Sequence, residues 1–299
     1  KHHCWYPDGV ANLSFNALDR HLSTRGSQKA LTYESAVGGA SRSFTYSELH
    51  DQVARFAQAL LDVGVAKHDN VLLYLPMIPE SVISMLACAR IGAVHSVVFG
   101  GFAASELAVR IRATKPTLII AADFGREADK ILPYMPAVNE AIDIADHEPS
   151  NGVVVIERPD GPPSTPGLPY ELKAGRDHSF SSLLSNTLSQ ASPTPALSTD
   201  PLYTLFTSGT TGQPKGVVRD NSHMVALASS LPNFYGVSPG GTMFSASDIG
   251  WVVGHSYIVY APLLNGSHSI LFEGKPVGTP DATAYWRIVE EHGVEGMFT

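Results

Sequence analysis

Cysteine is nearly absent from these 299 residues, which contain only Cys4 and Cys88. Two cysteines cannot make a disulfide framework, and their separation offers no metal-ligand spacing. Cys88 lies in the apolar run Met85-Leu86-Ala87-Cys88-Ala89 and reads as a buried small residue. Positive charge is also short: 20 Lys and Arg face 28 Asp and Glu, for a formal charge of −8. With no basic stripe to displace counterions, nucleic acid is excluded as a partner. No window approaches the ~20 apolar residues of a spanning helix, so no membrane span is expected. The 12 histidines form no His-Glu-x-x-His or similar pattern, and no resident metal set is assigned. The opening Lys1-His2-His3-Cys4 has neither methionine nor the character of a signal or transit peptide. The true beginning is therefore expected to lie elsewhere, and a soluble protein of the cytoplasm or the mitochondrial matrix fits equally.

What is present is apolar material for a large core, with 44% hydrophobic and 16% charged residues. The most informative stretch runs from Tyr203 to Arg219. A β-type run ends in Thr207-Ser208-Gly209-Thr210-Thr211-Gly212, followed by Gln213-Pro214-Lys215-Gly216. Glycines and hydroxyl residues at this density let backbone N–H groups wrap around phosphate oxygens, and Lys215 adds a full positive charge. A Walker loop needs Gly-x4-Gly-Lys-Ser/Thr, and the spacing here is different. A P-loop ATPase is thereby excluded.

Along the chain, short β-type runs alternate with helical periods. Ser47 is positioned to cap a helix with Leu49, Val53, Phe56, Ala57, Leu60 and Leu61 on one face and Gly64 at its stop. Strands are expected at 71–75, 93–99 and 118–121, helices at 79–91 and 105–112, and a mostly helical segment over 125–135. Eight prolines between 159 and 201 break any long period there, leaving one short helix near 181–188. Beyond it the rhythm resumes with strands at 202–206, 242–244, 269–272 and 295–298, separated by helices at 222–231, 256–264 and 282–292. Strands separated by such helices imply parallel pairing with right-handed crossovers. The expected fold class is α/β: two subdomains with mainly parallel sheets flanked by helices. The expected division is an amino-terminal subdomain over 1–156, a Pro-rich connection over 157–201, and a second subdomain over 202–299.

The string Thr207-Ser208-Gly209-Thr210-Thr211-Gly212-Gln213-Pro214-Lys215-Gly216 resembles the phosphate-binding loop of the adenylate-forming superfamily, which includes acyl-CoA synthetases, luciferases and adenylation domains. Trp5-Tyr6-Pro7-Asp8-Gly9, Tyr74-Leu75-Pro76-Met77-Ile78-Pro79-Glu80, Ala89 to Phe102, and Asp248 to Tyr257 are similar to the short-chain acyl-CoA synthetase branch. Val218-Arg219-Asp220-Asn221 and Glu273 to Asp281 look more like propionyl- than acetyl-CoA synthetases. The resemblance runs almost end to end. It covers only the first part of such an enzyme's large domain. The magnesium-positioning acidic motif, the ribose-binding aspartate, the hinge and the mobile domain with its catalytic lysine would lie beyond Thr299, as in a fragment or incomplete gene product.

The resemblance implies carboxylate activation by ATP, with Mg2+, and transfer to coenzyme A, with a short-chain carboxylate, ATP and coenzyme A as small-molecule partners. Holding triphosphate beside a carboxylate requires backbone dipoles and cations. Thr207 to Gly212 would supply the donors, and Lys215, the candidate catalytic residue, charge to the β- and γ-phosphates. Trp251, Val252 and Val253 would wall the acyl pocket, with Gly250 and Gly254 allowing close backbone approach. Val253 stands where many acetate-specific relatives carry threonine, compatible with a slightly larger acyl group. One methylene is worth only about 1–3 kcal/mol, so propionate is preferred over acetate on narrow grounds. Phe99, Gly100 and Gly101 would form a coenzyme A turn, reached by Arg126, Glu127 and Lys130, although Glu127 replaces a common arginine and Lys130 another. A plain βα turn accounts equally well for those glycines. Asp19-Arg20-His21 reads as amino-terminal packing, and His255 as either a core histidine or a functional one. A non-catalytic nucleotide- or acyl-binding remnant is the rival from another class.

Overall fold

A computed structural model describes residues 5–127, 130–159, 168–207, 214–275 and 279–299. Among them, two large sheets carry the fold. The first has seven strands in the order Asp177–Ser179, Val153–Ile156, Leu118–Ala122, Asn70–Leu75, Val94–Phe99, Pro201–Thr207 and Lys215–Asp220. All neighbours are parallel except the last pair, a hairpin whose register places Thr207 opposite Lys215. The second has five strands in the order Val294–Phe298, Thr242–Ser245, His268–Glu273, Lys29–Ser35 and Ser41–Thr45, parallel except for its last pair. The α/β class and mainly parallel sheets are as the sequence predicts.

The strand pairing crosses the expected subdomain boundaries. Lys29–Ser35, far inside residues 1–156, is a central strand of the second sheet beside His268–Glu273. Pro201–Thr207, which leads into the phosphate loop, extends the first sheet through pairing with Val94–Phe99. The chain therefore exchanges strands between its two halves.

Local sequence explains the helices. Tyr46–Asp62 starts at Thr45, whose side chain accepts from the Glu48 N–H while Glu48 reaches back to Thr45, a reciprocal capping box. Thr45, not Ser47, is the cap. Its apolar face buries Leu49, Val53, Phe56, Ala57 and Leu60. Pro79 opens the next helix, Pro79–Ile91, where its missing N–H costs nothing, and Gly92 closes it at φ 75°. This helix is buried on every side, so its sequence shows little polar periodicity. Asp19 serves packing: its carboxylate takes both terminal nitrogens of buried Arg90 at 2.7 and 2.9 Å. Desolvation would raise its pKa, but hydrogen bonds from His50 and Arg90 outweigh that and hold it at about 2.

A second expectation, after the cap, is corrected. The described residues from 125 to 133 are strand where helix is expected: Phe124–Glu127 pairs antiparallel with Lys130–Pro133. The reason is local crowding. Tyr134 folds over Gly125 so closely that an added Cβ would sit 2.0 Å from its hydroxyl, which suits an extended glycine at that point. The helix begins only at Met135 and runs to Ala145. The short helix in the Pro-rich stretch, Phe180–Asn186, agrees with the expectation. No helix of the described residues is long and apolar enough to cross a membrane.

Candidate active site

Strands from both sheets end at one cavity of about 580 Å³. Asn70–Leu75 leads to Pro76 and Met77, Val94–Phe99 to Gly100 and Gly101, Thr242–Ser245 to Ser247 and Asp248, and His268–Glu273 to Gly274 and Lys275. The carboxyl ends of parallel strands are where an α/β fold leaves unpaired backbone and loops for ligands. The Phe124–Pro133 hairpin closes the far side with Arg126, Glu127 and Leu132.

The cavity joins two segments that the sequence treats separately. Trp251, half exposed, stands with its ring centroid 6.4 Å from that of Phe99, and both line the space. The backbone between them is tightly apposed: a Cβ on Gly250 would meet Phe99 backbone atoms at 3.2 Å, and one on Gly254 the Asp248 carbonyl oxygen at 2.0 Å. Glycine at these positions permits the approach. Of the expected acyl wall, only Trp251 borders this cavity. Val252 is 47% exposed and begins a helical turn, and Val253 is partly buried behind it.

Arg126 and Glu127 are also on the cavity lining, while Lys130 stands outside it on the opposite hairpin strand. Glu127 bonds Lys275 at 2.8 Å across the mouth, and that ammonium holds its pKa below the usual glutamate value. The acidic replacement is thus matched by a lysine from the other sheet. Lys215 is exposed, begins its strand, and is not among the cavity-lining residues. Thr207 ends the partner strand and is exposed. Ser208, Gly209, Thr210, Thr211 and Gly212 lie outside the described residues.

Several groups at the site were not expected. The Asp248 carboxylate accepts the Gly250 N–H at 2.6 Å; desolvation pushes its pKa up to about 6, against that bond. Asp123, behind the hairpin, is likewise pushed by desolvation to about 6, although N–H groups of Phe124 and Arg158 oppose the shift. Glu273 is buried with Arg158, at 2.7 and 3.1 Å, and also accepts from the Tyr33 and Ser35 hydroxyls. Arg158 follows the first sheet and Glu273 ends a strand of the second, so this pair ties the sheets together beneath the cavity. Sequence carried a faint signal for Asp248, an acid beside glycine just past a strand. It carried none for the Arg158–Glu273 pair.

His255 resolves as a core residue. It is fully buried, its Nδ1 is 3.2 Å from the Trp251 carbonyl oxygen, and desolvation lowers its pKa to about 4. Its ring stacks parallel to His95 at 5.7 Å and tilts against Tyr203 at 4.7 Å.

The described residues do not fit a resident magnesium site. Glu273 is consumed by Arg158, Glu127 by Lys275, and Asp248 stands alone. A cation of this kind takes oxygen ligands from several converging groups or from phosphate. The cluster Glu34, Glu291 and His292 has carboxylate and imidazole atoms within 4.8 Å of one another, but none of the three borders the cavity.

The family profile described as AMP-binding enzyme matches residues 18–299. The chain belongs to the AMP-binding enzyme family. It is 46% identical over 303 residues to acyl-CoA synthetase short-chain family member 3, mitochondrial, of Bos taurus, covering 99% of this chain and 42% of that protein. It is 46% identical over 298 residues to the propionate–CoA ligase of Salmonella typhimurium, covering 99% of this chain and 46% of the ligase. A further relative, an uncharacterized protein of Pseudomonas aeruginosa, is 48% identical with the same coverage of this chain. The chain spans less than half the length of these relatives. Within the AMP-binding family, its similarity is thus to short-chain acyl-CoA synthetases and propionate–CoA ligase, the branch that its motifs resemble.

Proposed function

We propose that this chain forms the acyl- and thiol-facing part of an ATP-dependent short-chain carboxylate–CoA ligase, with propionate preferred over acetate. The observation that carries the reading is the single cavity where Trp251 and the Phe99-Gly100-Gly101 turn meet at strand ends. A carboxylate is a poor acyl donor because oxide would have to leave. Attack of its oxygen on the α-phosphorus of ATP makes AMP the leaving group and releases pyrophosphate. In this reading the Thr207–Gly212 donors and Lys215 stabilise the departing pyrophosphate, and Trp251 closes over the short acyl tail. The pantetheine thiol then enters beside Phe99 and Gly100 and displaces AMP. Magnesium would arrive with the triphosphate, neutralising its charge, and no step here depends on its geometry. Preference for propionate rests on the similarity to a propionate–CoA ligase and on valine at 253.

The test uses a polypeptide of the relatives' length containing this chain, with propionate and acetate as competing acids. Pyrophosphate release and acyl-CoA formation are measured with each. A higher kcat/KM for propionate supports the reading, and a higher value for acetate transfers the assignment to acetate. Nucleotide binding with no acyl-CoA formed would favour the non-catalytic alternative. In the same protein, Lys215→Ala should slow adenylate formation far more than acyl transfer from supplied acyl-adenylate, because pyrophosphate has left before the second step. Equal slowing of both steps would remove Lys215 from that role.

A further inference from the structure

We propose that Asp248 is the proton acceptor for the attacking thiol in the second half-reaction. This inference rests on the ligase reading above. Its geometric basis is the seam of the cavity. Asp248 lines the space and stands three residues before Trp251. Gly250, which donates its N–H to Asp248 at 2.6 Å, is packed on the Phe99 backbone. The Ile249 N–H points to the Met77 sulfur at 3.3 Å, fixing the turn from the opposite wall. The carboxylate is therefore held where an acyl group against Trp251 and a thiol arriving past Phe99-Gly100 would come together.

The other groups at the cavity are committed. Glu273 is saturated by Arg158, Tyr33 and Ser35. Glu127 is paired with Lys275 at the mouth. Burial raises the Tyr134 phenol far above neutrality, and His255 is sealed behind Trp251 with Nδ1 against the Trp251 carbonyl. Asp248 makes no hydrogen bond beyond Gly250 among the described residues, so one carboxylate oxygen remains for a ligand. Desolvation raises its pKa to about 6, which keeps it ionised at neutral pH yet more basic than an ordinary aspartate. A thiol has a pKa near ~8.5, so a base of this strength assists proton removal as sulfur attacks.

The step balances without a further reactant. The thiol S–H bond breaks and its proton passes to Asp248. The sulfur–carbon bond forms as the bond from the acyl carbon to the phosphate oxygen breaks, and AMP leaves with that electron pair. Water later takes the proton from Asp248. The charged and titratable groups that line the same cavity are Tyr134, whose phenol feels the Asp248 charge, the hairpin's Arg126 and Glu127, Glu273 and Lys275 from the second sheet, and Tyr285.

The experiment compares the unsubstituted protein of the relatives' length with Asp248→Asn and Asp248→Glu. Asparagine still accepts the Gly250 N–H, so the turn is retained. Propionate-dependent exchange of pyrophosphate into ATP reads the first half-reaction. Transfer from supplied propionyl-adenylate to coenzyme A, followed from pH 5 to 8.5, reads the second. For Asp248→Asn, exchange should stay within about 3-fold while transfer falls at least about 100-fold, the scale of general base catalysis. The unsubstituted protein's transfer rate should rise through an apparent pKa of about 6 and level off, and the Asn variant should lose that limb. Asp248→Glu should restore part of the rate. Transfer within about 5-fold of the unsubstituted rate, or equal loss of both half-reactions in a folded Asn variant, would overturn the assignment. If the Asn variant does not fold, a flat transfer profile between pH 5 and 7 in the unsubstituted protein overturns it alone. Absence of both half-reactions in the unsubstituted protein would instead sink the ligase reading, and this inference with it.

Discussion

The cavity wall and the ring cluster beneath it face the same physical cost and resolve it in opposite directions. In the cluster, His95, Tyr203, His255 and Tyr260 pack with ring centroids 4.7 to 6.3 Å apart, all fully buried. Desolvation lowers both histidines, His255 to about 4. At the wall, desolvation raises Asp248 to about 6, as it does Asp123 behind the hairpin. Both shifts favour the neutral form, because a charge loses more on leaving water than a dipole does. Access makes the difference in use. Asp248 borders open space and can trade a proton with a ligand. His95 Nδ1 and His255 Nε2 are buried with no hydrogen-bond partner among the described residues, and neither lines the cavity. A perturbed pKa therefore marks a reactive group only where the surroundings leave a route to it.

The largest expected effect tests the tie beneath the wall. Glu273→Ala would remove the buried carboxylate that takes two Arg158 nitrogens and the Tyr33 and Ser35 hydroxyls, and breaking such a buried pair costs about 3–5 kcal/mol. Urea unfolding should show a loss of unfolding free energy of that scale, and a change below about 1 kcal/mol would mean that the Glu273 carboxylate contributes little to stability.

Next in size is the cluster's response to acid. His255 has its pKa lowered from 6.5 to about 4, so the unfolded chain binds a proton that the folded chain refuses. Its contribution is complete above pH 6.5 and is lost as pH falls toward 4, by up to about 3 kcal/mol. Asp248 acts with the opposite sign: its raised pKa makes stability decline as pH rises from 3.8 to about 6. His255→Phe should flatten the acid side of a stability–pH curve, and Asp248→Asn should steepen it. Identical curves for the two variants would erase the contrast between wall and cluster.

The smallest effect belongs to the cavity mouth. Glu127 and Lys275 are more than half exposed, so water screens the pair and it adds little to stability. Glu127→Gln should leave the melting temperature nearly unchanged while altering the salt dependence of coenzyme A binding, measured by titration calorimetry. A large loss of stability would show that the pair does more than the geometry indicates.

The alternation of strands and helices was legible because amphipathic spacing and caps act within a few residues. Pro79 and Gly92 bound a buried helix in the sequence as they do in the fold. The cavity's floor was not legible, since Arg158 and Glu273 meet across 115 residues. Glu127, expected among the coenzyme A contacts although it stands where an arginine is common, has a partner that nothing local announces: Lys275 is 148 residues away. The hairpin at 124–133 was misread for a related reason. Its pairing depends on how Tyr134 covers Gly125, a packing relation that periodicity does not encode. Val252 and Val253 were expected at the pocket with Trp251, but the turn of helix after Trp251 directs only the tryptophan to this cavity.

The strand exchange between the two halves has a consequence for synthesis. Lys29–Ser35 leaves the ribosome long before its parallel neighbour His268–Glu273 is made; Ser35 and Glu273 are 238 residues apart. Until then the first hairpin carries an unpaired backbone edge with apolar Ala30, Leu31 and Tyr33, a surface prone to pairing with the wrong chain. The first sheet is similarly incomplete until Pro201–Thr207 arrives beside Val94–Phe99. The nascent polypeptide must keep both edges soluble until their partner strands are made, and chaperone demand should fall once residue 273 clears the exit tunnel.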